Sequence, residues 1–265
     1  MKIALSQMDI TWLDIRANTT KISNHIEQAD ASGAGAIVFP EMALTGFCMD
    51  PARAAIDPVS PEMRALTLAT RGKRILVMAG AAVRQNGLSY NMFLFIQGGE
   101  IVAGYSKINL FPPTGEDRCY TPGGDLIVVD YGGIRIAPLV CFDMRFPQLF
   151  CALQAVDTDI FVVMASWPAA EARQWQTLLS ARAVDTQAYL IGVNRIGSGG
   201  GMEFCGQSMA VSPGGKPLFE YTTDERLIFV DIDPSRPARL REDFPVFKKS
   251  VTGFSMKPRV ISLRA

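Results

Sequence analysis

The chain has 265 residues, nearly half of them hydrophobic, and carries 26 Lys+Arg against 26 Asp+Glu. That is enough apolar mass for one large core, and one domain over residues 1–265 is expected. The balanced charge offers no electrostatic footprint for nucleic acid. No run approaches the ~20 apolar residues of a membrane span, and the N-terminus turns polar too soon for a signal peptide.

The opening residues 2–8 read as a strand. Residues 18–32 read as a helix, with Ile22, Ile26 and Ala29 at helical spacing and Gly33 as its stop. Ala36–Phe39 is a short apolar strand ending at Pro40. A helix follows over 61–71, with Pro61 in its first turn. Ile75–Val83 and Ser89–Ile96 form a hairpin through Asn86-Gly87, and Ile101–Tyr105 adds a third strand. Residues 109–124 read as a loop. Leu126–Val129 and Ile134–Val140 flank a turn at Tyr131-Gly-Gly133.

Asp159–Ala165 is another apolar strand, and Glu171–Gln187 a long helix. Tyr189–Asn194, Gln207–Val211, Pro217–Tyr221 and Arg226–Ile232 complete the strand set, with Gly199-Gly-Gly201 a flexible turn. The tail from Pro234 reads as irregular, with Pro237, Pro245 and Pro258. Lys248-Lys249, the longest basic cluster, reads as solvated surface. Ten or more strands with about four main helices, hairpins mixed with strand–helix–strand units, predict an α/β protein: two stacked mixed sheets with helices outside.

Five cysteines, an odd number without Cys-x-x-Cys spacing, disfavour a disulfide framework or a zinc site and fit a reducing cytoplasm. Cys48, Cys119, Cys151 and Cys205 read as inert. The lone histidine, His25, falls on the first helix, where a surface position is the default. No metal or cofactor is expected.

Three segments end an apolar run on a reactive side chain. They run from Val38 through Glu41 to Phe47, from Gly104 through Lys107 to Phe111, and from Ile134 through Cys141 to Pro147. The carboxyl ends of strands are where α/β folds gather active sites. Cys141 stands where a strand hands over to a polar segment able to open a helix, so a thiolate there is expected to be stabilised and accessible.

Each position also has an ordinary reading: a small core residue for Cys141, a helix-capping acid for Glu41, a surface lysine for Lys107. Taken together they suit acyl transfer. A carboxylate can move the thiol proton, and an ammonium can hold an oxyanion.

The segments Phe39-Pro-Glu41, Tyr105-Ser-Lys-Ile-Asn-Leu-Phe111 and Leu139-Val-Cys-Phe-Asp-Met-Arg-Phe-Pro147 resemble the nitrilase superfamily of carbon–nitrogen hydrolases, in family order and over nearly the whole chain. The resemblance implies a four-layer α-β-β-α sandwich, usually paired into a homodimer. It also implies a Glu-Lys-Cys triad: Cys141 as nucleophile forming a thioester, Glu41 as general base, and Lys107 with the Phe142 N–H on the oxyanion. Glu116 matches a second family glutamate that orients substrate or lysine; its ordinary reading is a solvated loop acid.

Phe142, Arg145, Trp167 and Phe47 are candidate substrate contacts. Arg145 could bind a substrate carboxylate or pair structurally with Asp143, and Trp167 could simply pack. Thr45-Gly-Phe-Cys-Met49, Ala165-Ser-Trp-Pro168, Asn194-Arg-Ile-Gly197 and Asp243-Phe-Pro245 resemble the ω-amidase branch, which hydrolyses the terminal amide of 2-oxo acids such as 2-oxoglutaramate. Ser166, Gln174 and Thr186 depart from that branch's pattern and leave the substrate open. An N-carbamoyl amine hydrolase, a deaminated-glutathione amidase, a nitrilase and a silent scaffold are the alternatives.

Overall fold

The computed structural model describes residues 1–246 and 258–263, so Lys248-Lys249 lies outside the described residues. The first half runs β1 (Lys2–Gln7), α1 (Ile15–Ala31), β2 (Ala36–Val38), α2 (Pro51–Ala54), α3 (Pro61–Leu68), β3 (Leu76–Gln85), β4 (Leu88–Gln97), β5 (Glu100–Ser106) and α4 (Glu116–Cys119). It continues with β6 (Ile127–Tyr131), β7 (Ile134–Val140), α5 (Pro147–Gln154), β8 (Ile160–Ala165), α6 (Ala172–Thr186) and β9 (Tyr189–Asn194). Last come β10 (Ile196–Gly199), β11 (Met202–Cys205), β12 (Met209–Val211), β13 (Arg226–Asp231), α7 (Arg236–Asp243) and β14 (Arg259–Leu263).

Two six-stranded sheets form, in the orders β13-β1-β2-β3-β4-β5 and β12-β9-β8-β7-β6-β14. Each is mixed: β1–β2–β3 and β7–β8–β9 run parallel, whereas β3–β4–β5 and β6–β7 are antiparallel. Strand alternation explains the layering. Ile3, Leu5, Leu76, Met78, Phe93 and Phe95 point into the core shared by the sheets, while Ala4, Val77, Ala79, Leu94 and Ile96 face α1 and α3 through Ile22, Ile26, Met63 and Leu66. Trp175, Leu179 and Ala183 of α6 cover the second sheet. The result is the expected α-β-β-α sandwich.

The proline-rich tail is more regular than its composition suggests. Pro237 sits in the first turn of α7, where its missing N–H costs nothing. Pro258 precedes β14, an edge strand parallel to β6, a position that tolerates proline. The strand expected at Pro217–Tyr221 is reduced to one bridge, Val211 to Pro217. The loop at 109–124 contains the one-turn α4. His25 is half-buried rather than a surface residue: its Nδ1 lies 2.8 Å from Ser6 Oγ and its ring stacks on Phe39. No helix among the described residues is long and apolar enough to cross a membrane.

Candidate active site

The ends of four strands converge between the two sheets. Glu41 opens the turn after β2, Lys107 follows β5, Cys141 follows β7 and Ser166 follows β8. Glu41, Lys107 and Glu116 are fully buried, which removes the solvated readings of Lys107 and Glu116. Lys107 Nζ donates to Glu41 Oε1 at 2.8 Å and to Glu116 Oε2 at 2.7 Å. Asn91 of β4 repeats the pattern, its Nδ2 donating to Glu41 Oε1 and Glu116 Oε1, each at 2.7 Å. The fourth carboxylate oxygen is also occupied, the Ser166 N–H donating to Glu41 Oε2 at 2.8 Å, and the Phe111 N–H adds a second bond to Glu116 Oε2 at 2.7 Å.

One ammonium thus serves two buried carboxylates. Burial alone would lower the Lys107 pKa; Glu116 and Glu41 outweigh it and hold the ammonium protonated well above its ordinary range. Burial, with Glu41 adding to it, holds the Glu116 carboxyl above its usual range against the pull of Lys107.

Cys141 has a φ of +46°, a left-handed backbone that a side chain adopts at a cost of roughly 1–3 kcal/mol. The strain is held in place by Asp143. Its fully buried carboxylate accepts from the Val140 N–H (3.0 Å), the Tyr105 hydroxyl (2.8 Å) and both the N–H and Nδ2 of Asn109 (2.9 Å each). Asp143 therefore ties the strand end carrying the thiol to the one carrying Lys107. The alternative Asp143–Arg145 pair is not formed; Arg145 reaches across to Glu171 instead.

The thiol itself differs from expectation. Cys141 is only 8% exposed, and the segment after it is a short 3₁₀ turn, Cys141–Arg145, with α5 starting at Pro147. Burial, then the Glu41 carboxylate, push the thiol pKa well up; Lys107 and a backbone hydrogen bond from Ser166 only partly offset this. The resting group is a neutral thiol beside a carboxylate, an arrangement that needs a base to move its proton.

The cavity above the thiol is small and is lined by Phe47, Phe111, Phe142, Trp167 and Met202, with Arg145 and Glu171 adding charge. The four candidate substrate contacts, Phe47, Phe142, Arg145 and Trp167, therefore all border it. Met202 comes from the β10–β11 hairpin, turned by the Gly199-Gly-Gly201 segment. Asn91, Asp143 in its stapling role, and Glu171 had no motif signal. Each lies in an ordinary local context and acquires its partners only through space.

A family model for carbon–nitrogen hydrolases matches residues 2–242. The chain belongs to the carbon–nitrogen hydrolase family. As a hydrolase of this family it is similar to the omega-amidase YafV of Escherichia coli (strain K12), with 33% identity over 94% of this chain and 96% of that one. It is also similar to the 2-oxoglutaramate amidase of Bacillus subtilis (strain 168), with 29% identity over 92% of this chain and 95% of that one. These relatives support the resemblance to the ω-amidase branch.

Among solved structures, a Xanthomonas campestris CN-hydrolase superfamily protein with an arsenic adduct in its active site superposes with a TM-score of 0.88 at 26% identity, covering 97% of this chain and 98% of that one. A mutant amidase from Nesterenkonia sp. AN1, carrying the acetamide moiety of fluoroacetamide on its active-site cysteine, superposes at 0.82 with 26% identity, over 92% and 96%.

Proposed function

We propose that this carbon–nitrogen hydrolase cleaves the terminal amide of a small ω-amido dicarboxylic acid through a thioester on Cys141. The observation that carries the reading is the buried Glu41–Lys107–Glu116 cluster beside the Cys141 thiol, at the floor of a small aromatic cavity. The names of the relatives make 2-oxoglutaramate the first substrate to test.

Glu41 takes the thiol proton as Sγ attacks the amide carbon, and the carbonyl π pair moves onto oxygen. Lys107 Nζ and the Phe142 N–H stabilise that oxyanion. Collapse breaks the C–N bond, and the departing nitrogen takes the proton from Glu41 and leaves as ammonia. Water then gives a proton to Glu41 and attacks the thioester. A second collapse releases the carboxylic acid and returns the proton to Cys141. Glu116 and Asn91 position Lys107 and Glu41 through both steps.

Cys141→Ala is expected to lower ammonia release from 2-oxoglutaramate by roughly a thousandfold or more. Wild-type enzyme quenched during turnover should show, by mass spectrometry, an acyl group on the Cys141 peptide. Undiminished turnover by the variant would overturn the reading.

A further inference from the structure

The β8–β9 ladder ends where Ala165 stands opposite Asn194, with the Arg195 N–H donating to the Ala165 carbonyl at 3.3 Å. Beyond that pair Ser166 and Trp167 leave the sheet, yet their position matters. The Ser166 N–H donates to Glu41 Oε2 at 2.8 Å and also bonds the Cys141 thiol. One amide thus addresses both groups between which the thiol proton would move. The Ser166 hydroxyl offers this amide little anchorage, reaching the Glu41 carbonyl only at 3.4 Å.

Asn194 supplies the anchor. Its side-chain amide continues the ladder by one rung: Oδ1 accepts from the Trp167 N–H at 2.8 Å, and Nδ2 donates to the Trp167 carbonyl at 3.1 Å. The other Nδ2 hydrogen goes to the Gly206 carbonyl at 2.9 Å, at the foot of the β10–β11 hairpin. Three partners of defined sense fix which way the amide faces. Turned over, it would set an N–H against an N–H and an oxygen against two carbonyls. Asn194 is buried, so water does not compete for these bonds. Its main chain is held too. The Asn194 N–H donates to Ser208 Oγ at 3.0 Å, and the Ser208 N–H donates at 2.8 Å to Oε1 of Gln7, on β1 of the other sheet.

We infer that Asn194 is a positioning residue for the hydrolysis: by clamping both polar atoms of the Trp167 main chain it aims the neighbouring Ser166 N–H at Glu41 and the Cys141 thiol. The inference rests on the proposed roles of Cys141 and Glu41 and adds the device that keeps base and nucleophile together. A hydrogen bond to sulfur favours the thiolate, so a displaced Ser166 N–H makes the thiol harder to ionise. The charged groups facing the thiol, Glu41, Lys107 and Glu116, stay in place when Asn194 is replaced.

Three variants test this. Asn194→Asp keeps the acceptor for the Trp167 N–H but sets an oxygen against the carbonyls of Trp167 and Gly206. Asn194→Ser removes the rung and leaves room for water. Ser208→Ala loosens the same strand end without touching the rung. Each is compared with wild type by kcat for ammonia release from 2-oxoglutaramate, by Tm, and by the pH at which iodoacetamide alkylation of the Cys141 peptide is half-maximal in mass spectra. Both Asn194 variants should lose about tenfold or more in kcat and shift the alkylation midpoint up by about one pH unit, the scale of one hydrogen bond to an anion. Ser208→Ala should lower Tm through its lost hydrogen bonds while its kcat and midpoint stay at the wild-type values. Asn194 variants that lose only Tm, or an equal midpoint shift in Ser208→Ala, overturn the inference. In wild type the Trp167 amide should exchange its hydrogen as slowly as those of β8. Fast exchange there overturns the inference even if neither Asn194 variant folds. Undiminished turnover by Cys141→Ala removes the amidase reading and this inference with it, whereas the other outcomes bear on Asn194 alone.

Discussion

At the scale of single residues the informative contrast is between the thiol and its proposed base, Glu41. The Glu41 carboxylate raises the Cys141 pKa, and Lys107 lowers it. Glu41→Gln should therefore move the thiol titration, followed by thiolate absorbance, to lower pH, giving more thiolate at a fixed pH. Turnover should nevertheless fall by roughly a hundredfold or more, because the proposed proton carrier is gone. Lys107→Ala should move the titration the other way and cost about 3–4 kcal/mol in the transition state, seen as lowered kcat. If Lys107→Ala changes only KM, the oxyanion role is wrong. Glu41, Lys107 and Cys141 were legible in the sequence because each follows a locally recognisable apolar run. Asn91 was not, since an asparagine on a strand has no local feature that announces two carboxylate partners.

At the scale of elements, the Glu41 turn depends on the strand beneath it. A Cβ at Gly80 in β3 would lie 2.5 Å from the Pro40 carbonyl oxygen and 2.7 Å from Glu41 Cα, and the Ala43 N–H donates to the Gly80 carbonyl at 2.8 Å. Gly80→Ala is expected to cost about 1–3 kcal/mol of stability by overpacking and, by shifting Glu41, to lower kcat at temperatures where the variant stays folded. A Tm series alongside kcat separates the two effects; a normal kcat with a lowered Tm would show that the turn absorbs the insertion. The β10–β11 hairpin has a comparable anchor. The fully buried Arg195 donates through Nη2 to Ile10 O at 3.0 Å and Ser198 O at 3.1 Å, and stacks on Phe204 at 4.6 Å. Periodicity located most strands, but not this hairpin: its residues are glycine-rich and only partly buried, so alternation is absent.

At the scale of the whole molecule, two sheets closing on each other bury ionisable groups that keep their protons. Burial, with Asp143 adding to it, raises the Tyr105 pKa; burial raises that of Tyr120; the two carboxylates raise that of Lys107. In the unfolded chain all three would lose a proton near pH 10. Above that pH the unfolded state binds fewer protons than the folded one, so stability falls as pH rises toward the raised values. Urea unfolding across about pH 8 to 11 should show this steepening, and Tyr105→Phe should reduce it. An unchanged slope in that variant would mean Tyr105 titrates normally in the fold.

Residue order alone was enough for the two-sheet α/β architecture, the strand ends that carry Glu41, Lys107 and Cys141, and the family resemblance. These rest on local patterns: two-residue alternation, helical spacing, turn residues and short contiguous motifs. Packing in three dimensions had to decide that Asp143 staples two strand ends, that Arg145 pairs with Glu171 rather than Asp143, and that Cys141 rests as a buried neutral thiol. Those outcomes depend on distances between residues far apart in the chain, such as Ser166 and Glu41, which are 125 positions apart yet joined by a 2.8 Å hydrogen bond. Charge, burial and hydrogen bonding at a site are sums over its spatial neighbours, and the neighbours are chosen by how the sheets pack.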